Sequence, residues 1–189
     1  MGQSYEKMVE EATKLGYRNE MEYWGCSQAV VSALIEAFGI GGPDMLRIST
    51  VFAGGLARRG KTCGALTGGL IMIGFLAGRD DLDMWEQYER GMGYANKLYQ
   101  RFEKRFGTTT CVEIQKARFG KSFDLLNEDE LKSFLDAGAH GENGCPEITQ
   151  EGARLAAEIV VEILQERPLA RILASGKSSF IYNDVGGNG

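Results

Sequence analysis

The chain of 189 residues contains one histidine, His140, and no two cysteines in a CxxC spacing. A single histidine excludes sites built from several imidazoles, and the lack of CxxCH excludes attachment of haem c. Without CxxC, zinc-ribbon and thioredoxin-like motifs are also missing. The longest apolar run, Cys63–Gly78, has 16 residues and is rich in glycine. A membrane span needs about 20, so no stable membrane insertion is expected and the run reads as a core helix. No basic excess exists either. Lys and Arg number 21 against 26 Asp and Glu, a formal charge of -5, which argues against nucleic acid as a partner. The first residues, Met1–Lys7, have no apolar core and do not read as a secretory signal. The expected location is cytoplasmic. No glycine-rich phosphate loop followed by Lys-Ser/Thr occurs.

What the chain has in excess is glycine, 26 residues without a period of three. Hydrophobic residues at 43% and charged residues at 25% suit an ordinary globular chain. Apolar residues recur at three and four: Ala29, Val30, Leu34, Phe38; Met92, Ala95, Leu98, Phe102, Phe106; Leu155, Ala156, Ile159, Val160, Ile163. That spacing places one face of a helix on a core, and no long alternation at period two is present. The expected fold is all-α, a single-domain helical bundle. Helices are expected near 4–18, 26–38, 43–58, 63–77, 84–106, 111–117, 128–136 and 149–165. Residues 1–167 form the four-cysteine domain. Residues 168–189 form a C-terminal extension, partly flexible, with a short helix near 168–174.

Asp83-x-x-Glu86, Thr110-x-x-Glu113 and Asn127-x-x-Glu130 read as capped helix starts. Gly39, Gly78 and Gly107 read as helix stops. In the 63–77 helix, Gly64 and Gly68 stand four apart, as do Ala65 and Gly69. This smooth stripe admits a neighbouring backbone closely. The remaining apolar residues go all round, which suits the middle of a bundle or a homodimer interface.

The four cysteines, Cys26, Cys63, Cys111 and Cys145, are far apart in sequence but share a context: each stands at or just before a predicted helix start. Free N–H groups and the helix dipole there favour a thiolate over a thiol. Four such thiolates meeting at one end of a bundle could hold one metal centre or a small cluster. The same residues also allow thiol–disulfide chemistry with a resolving cysteine, or a structural zinc ion. They also allow an interaction protein, or inert cysteines packed as small apolar side chains. His140, five residues before Cys145, reads either as an exposed loop residue or as a neighbour of such a centre. Asp80, Asp81 and Asp83, and Glu20 and Glu22, read as solvated carboxylates. Asn183–Gly187 is too glycine-rich to read as a site.

Cys63-Gly64-Ala65-Leu66-Thr67-Gly68 matches CGAxxG. Cys26-Ser27-Gln28-Ala29-Val30 precedes it, and Phe106-Gly107-Thr108-Thr109-Thr110-Cys111 and then Cys145 follow. In this order the chain resembles the redox-active C_GCAxxG_C_C family over roughly residues 5–165, and is similar in part to split-Soret cytochromes. The resemblance implies that Cys26, Cys63, Cys111 and Cys145 ligate an iron–sulfur centre of the [2Fe-2S] type. The haem does not carry over, since CxxCH is missing. The implied function is electron transfer or redox sensing with an unidentified redox partner, by one-electron exchange at iron.

Overall fold

The computed structural model describes residues 4–168. Helix α1 (Tyr5–Tyr23) starts at Ser4, whose hydroxyl accepts the Lys7 N–H. It is followed by α2 (Cys26–Phe38), α3 (Pro43–Ser49), α4 (Gly64–Ala77), α5 (Trp85–Phe106), α6 (Cys111–Phe119), α7 (Glu128–Asp136) and α8 (Cys145–Glu166). Among the described residues no β-sheet forms; one isolated bridge pairs Thr62 with Thr110. The all-α single-domain bundle expected from the apolar spacing is what the chain adopts.

The bundle is made by α1, α2, α4, α5 and α8. Helix α1 packs on α2 and α8, while α4 lies among α2, α5 and α8. Leu34, Leu66, Met72, Phe102, Ile159 and Ile163 are fully buried between them. Each such side chain stabilises the fold by about 1.5–3 kcal/mol relative to exposure. A half-exposed ion ladder joins α5 to α8: Arg101 to Glu162 at 2.6 Å, Lys97 to Glu162 at 3.1 Å and Arg105 to Glu151 at 3.3 Å. Pairs of this exposure contribute about 0–1 kcal/mol each, so the apolar seam holds the helices together.

The small-residue stripe of α4 works as its spacing suggests. A Cβ added at Gly68 would stand 2.6 Å from the Ser27 carbonyl oxygen and 2.9 Å from Val30 Cβ of α2. At Gly69 it would stand 2.7 Å from Leu98 of α5 and 2.8 Å from Ala156 of α8. The helix therefore sits in the middle of the bundle. Only Gly74 and Phe75 of it are exposed, so its apolar surface is covered within one chain.

Several boundaries differ from expectation. Helix α3 ends at Ser49, not near 58, and passes through a short 3-10 turn, Thr50–Phe52. Gly54, Gly55, Leu56, Ala57 and Arg58 then run left-handed, with φ of 63°, 71°, 61°, 49° and 62°. A left-handed residue other than glycine costs about 1–2 kcal/mol. The turn persists because its backbone is bonded at both ends: Leu56 N–H to Phe52 O at 3.3 Å and Lys61 N–H to Gly55 O at 2.9 Å. Gly55 also admits close neighbours, since a Cβ there would meet Cys111 Cβ at 2.7 Å. Helix α8 begins at Cys145, not near 149, because Pro146 fits a first turn where its missing N–H is not needed.

Of the expected caps, Asn127 accepts the N–H groups of Asp129 and Glu130 at 3.0 and 3.1 Å. Thr110 precedes α6 without a side-chain cap bond, and α5 is preceded by Met84 instead of Asp83. Gly39 and Gly107 end their helices left-handed; Gly78 ends α4 in an extended conformation. Among the described residues no helix is long and apolar enough to cross a membrane. The short helix near 168–174, all but the first residue of the C-terminal extension and the Asn183–Gly187 segment lie outside the described residues.

Gly68→Ala should destabilise the fold by about 1–3 kcal/mol, the usual cost of overpacking, despite the better helix former. Gly93→Ala, on the exposed face of α5 with no atom near its added Cβ, should instead stabilise by up to about 1 kcal/mol. Urea unfolding of the two variants checks both signs.

Candidate functional site, a thiol-lined cavity

Three cysteines are the first residues of helices: Cys26 of α2, Cys111 of α6 and Cys145 of α8. Cys63 is the N-cap of α4. The expectation that each cysteine stands at a helix start therefore holds, and it extends to Cys145 once α8 is seen to begin there. All four line one cavity of about 180 Å³ at this end of the bundle.

Local pairing sets their positions. Around the Thr62–Thr110 bridge, Cys63 N–H donates to Thr109 O at 2.8 Å and Cys111 N–H to Lys61 O at 2.6 Å. Cys145 N–H donates to Ala139 O at 2.7 Å. Gln115 is oriented by accepting the Phe123 N–H at 2.9 Å and turns its amide toward Cys111 Sγ at 3.5 Å. Phe119 of α6 and Phe134 of α7 line the cavity and form an aromatic cluster with Phe123, which stands between the two helices in the chain. Phe119 meets Phe134 edge-on at 5.6 Å, and Phe123 lies 5.4 Å from Phe134.

The far wall is polar at a few points. Trp24, between α1 and α2, has φ 62° and ψ -173°, a conformation that is almost confined to glycine and costs about 1–3 kcal/mol. Its indole stacks on His140, with ring centroids 4.5 Å apart and planes 12° from parallel. His140 Nδ1 stands 3.3 Å from Glu20 Oε1. His140 is thus neither an exposed loop residue nor a neighbour of a metal centre; its side chain is 18% exposed. Glu20, expected on a solvated face with Glu22, is 1% exposed. Glu22 and the carboxylates Asp80, Asp81 and Asp83 are exposed, as expected. Three polar atoms of the lining are buried without a hydrogen-bond partner: Glu20 Oε2, His140 Nδ1 and Thr149 Oγ1.

Burial governs the ionisation here. It raises the Glu20 carboxyl, a rise that His140 opposes. Cys63 is pushed up to about 12, first by burial and then by Cys111, against N–H groups of Ala65 and Leu66. Cys111 is also pushed up to about 12, by burial and Cys26, against Gln115. Cys26 is raised by burial, Glu20 and Cys63, against the N–H groups of Gly54 and Ser27. Cys145 is raised by burial, Glu20 and the other three cysteines. The thiolates expected from helix-start placement are therefore corrected to neutral thiols. Each sulfur is surrounded by apolar atoms and other acidic groups, and desolvation outweighs the helix terminus.

The [2Fe-2S]-type centre on Cys26, Cys63, Cys111 and Cys145 is corrected too. The thiols share a cavity, but among the described residues no three Cys, His, Asp or Glu side chains are placed to hold one metal ion. A cluster or zinc ion requires ligands converging on one point, and the four sulfurs are not grouped in that way. The same finding overturns the structural zinc and the electron-transfer or redox-sensing role at iron. All four cysteines are free, so the thiol–disulfide alternative finds no bonded pair.

The fold and site thus define a helical-bundle protein with a neutral, thiol-lined cavity at the starts of four helices. The C_GCAxxG_C_C family, described as "Putative redox-active protein", matches residues 24–159, and the chain belongs to it. No curated protein and no solved structure matches the chain.

The ionisation has a consequence for stability. An unfolded chain releases its thiol protons near the ordinary value of 9.0, whereas the folded chain holds those of Cys63 and Cys111 to about 12. Stability is therefore retained below about pH 9 and is lost as pH rises from there toward 12. The melting temperature should be flat from pH 7 to 8.5 and fall above it, less steeply in Cys63→Ala. Parallel curves for the two proteins would contradict a buried neutral Cys63.

Proposed function

We propose that the protein binds a compact, mostly apolar small molecule in the thiol-lined cavity. The observation that carries this reading is the wall itself: four neutral thiols together with Ile114, Phe119, Leu125, Leu131, Phe134 and Ile148 around about 180 Å³. Protein interiors are packed to leave few voids larger than water. An apolar cavity of about 150 Å³ takes a benzene-sized guest, so the ligand has the bulk of roughly one ring.

Sulfur suits such a wall, because a neutral thiol behaves as a small polarisable apolar group beside aromatic carbon. The strained Trp24 and the left-handed turn at Gly54–Arg58 both border the cavity, and strain of this kind gathers at binding sites. The family's description names redox activity; binding in this cavity does not require it. Four free thiols fit a reducing compartment such as the cytoplasm, and a net charge of -5 fits a small-molecule partner better than nucleic acid.

Toluene is the simplest probe. It should raise the melting temperature in a concentration-dependent way, by about 2–4 °C for each kcal/mol of linkage. In Trp85→Phe, where Trp24 is the remaining tryptophan, it should also change the emission saturably. No shift in either signal up to the solubility limit of toluene would contradict the proposal.

A further inference from the structure

We infer that Glu20 and Thr149 are the polar anchor of this cavity, and that the ligand carries a primary ammonium group on its apolar body. The inference rests on the binding function proposed above and names the chemical class of the ligand. Glu20 and Thr149 are 1% and 0% exposed, and Glu20 Oε2 and Thr149 Oγ1 have no hydrogen-bond partner. They reach the same cavity from different helices, α1 and α8. Buried polar atoms are almost always paired, and an unpaired one calls for an explanation. Two of the three on this wall, Glu20 Oε2 and Thr149 Oγ1, are oxygens, and they point to a partner that arrives with the ligand.

The chemistry of the pair selects that partner. A carboxylate accepts only, and a hydroxyl can accept while it donates elsewhere. An ammonium supplies three N–H donors and a positive charge. It can therefore donate to Glu20 Oε2 and to the Thr149 hydroxyl, the two oxygens that no side chain of the wall serves, and bring a positive charge to Oε2. His140 stands on Glu20 Oε1 and leaves Oε2 free. Arg58, the one Lys or Arg of the lining, is exposed and pairs with no carboxylate among the described residues. Trp24, Phe119 and Phe134 add aromatic faces, which attract a cation at close range. An anionic ligand would meet Glu20 and four groups that become negative when they ionise. A neutral donor such as an alcohol would serve one oxygen and bring no charge to Oε2.

Calorimetric titration with benzylamine, benzyl alcohol and toluene separates these cases, because the three share one ring and differ in the polar group. On the native protein benzylamine should bind about tenfold or more tightly than toluene, the usual worth of a charge-assisted hydrogen bond, with benzyl alcohol between them. Glu20→Gln should bring benzylamine to near the affinity of toluene while toluene binding stays unchanged. Thr149→Val removes a hydroxyl that is unpaired in the free protein, so it should fold normally and narrow the same ratio. It keeps the test valid if Glu20→Gln does not fold. Equal affinities of benzylamine and toluene on the native protein, or a ratio untouched in the folded variants, would overturn the anchor and leave the apolar binding function standing. No binding of any of the three would overturn both.

Discussion

The structure depends on how closely α4 approaches its neighbours. Gly64 and Gly68 face α2, and Gly69 faces α5 and α8, at separations that exclude even a methyl group. At Gly64 the excluded space is occupied by the sulfur of Cys26. The same glycine that follows Cys63 thus makes room for a second cysteine from another helix. The CGAxxG segment is explained by this packing: Cys63 caps the helix, Gly64 seats Cys26, and Gly68 receives the backbone of Ser27. Glycine in a helix costs about 1 kcal/mol per residue, and the tightness of the seam offsets it.

Around that seam the molecule departs from ordinary local preferences, and the departures gather at one end. Trp24 holds a conformation that suits glycine, Leu56, Ala57 and Arg58 run left-handed, and Glu20 is buried beside four thiols. Among the described residues, the four non-glycine residues with positive φ all lie in these two segments. Local conflict confined to one region is the usual mark of a functional site in an otherwise consistent fold. Burial is also what sets the chemistry. It holds the thiols neutral against helix termini and N–H donors that favour their ionised forms, so the sulfurs line the wall as polarisable apolar groups.

Much of this was legible in the residues. Apolar spacing, caps and helix-stopping glycines place the eight described helices, although α1 runs to Tyr23 instead of 18 and α3 stops at Ser49; the recurrence of cysteine at helix starts is visible in the residues alone. The position of Glu20 follows from the helix period once α1 is extended past residue 18: Ala12, Leu15, Gly16 and Asn19 are buried, and Glu20 continues that stripe at four residues from Gly16. The left-handed turn was hidden because helical composition continues past Ser49, although Gly54-Gly55 and Gly60 bracket it. The ionisation of the cysteines is not legible, because a helix terminus can be read from local sequence, while the depth of burial depends on α6 and α7 supplying part of the cavity wall. Whether four distant sulfurs meet at a point or spread along a wall depends on the same tertiary closure, and no spacing encodes it.

The central claim is that this wall encloses an apolar site able to accept a guest. A crystal structure under xenon pressure tests it most directly, because xenon enters apolar cavities and makes no demand on polar groups. The account predicts xenon bound among Leu131, Phe134, Cys145 and Ile148, with the helices unmoved. Side chains filling that space, or xenon absent from it, would contradict the claim.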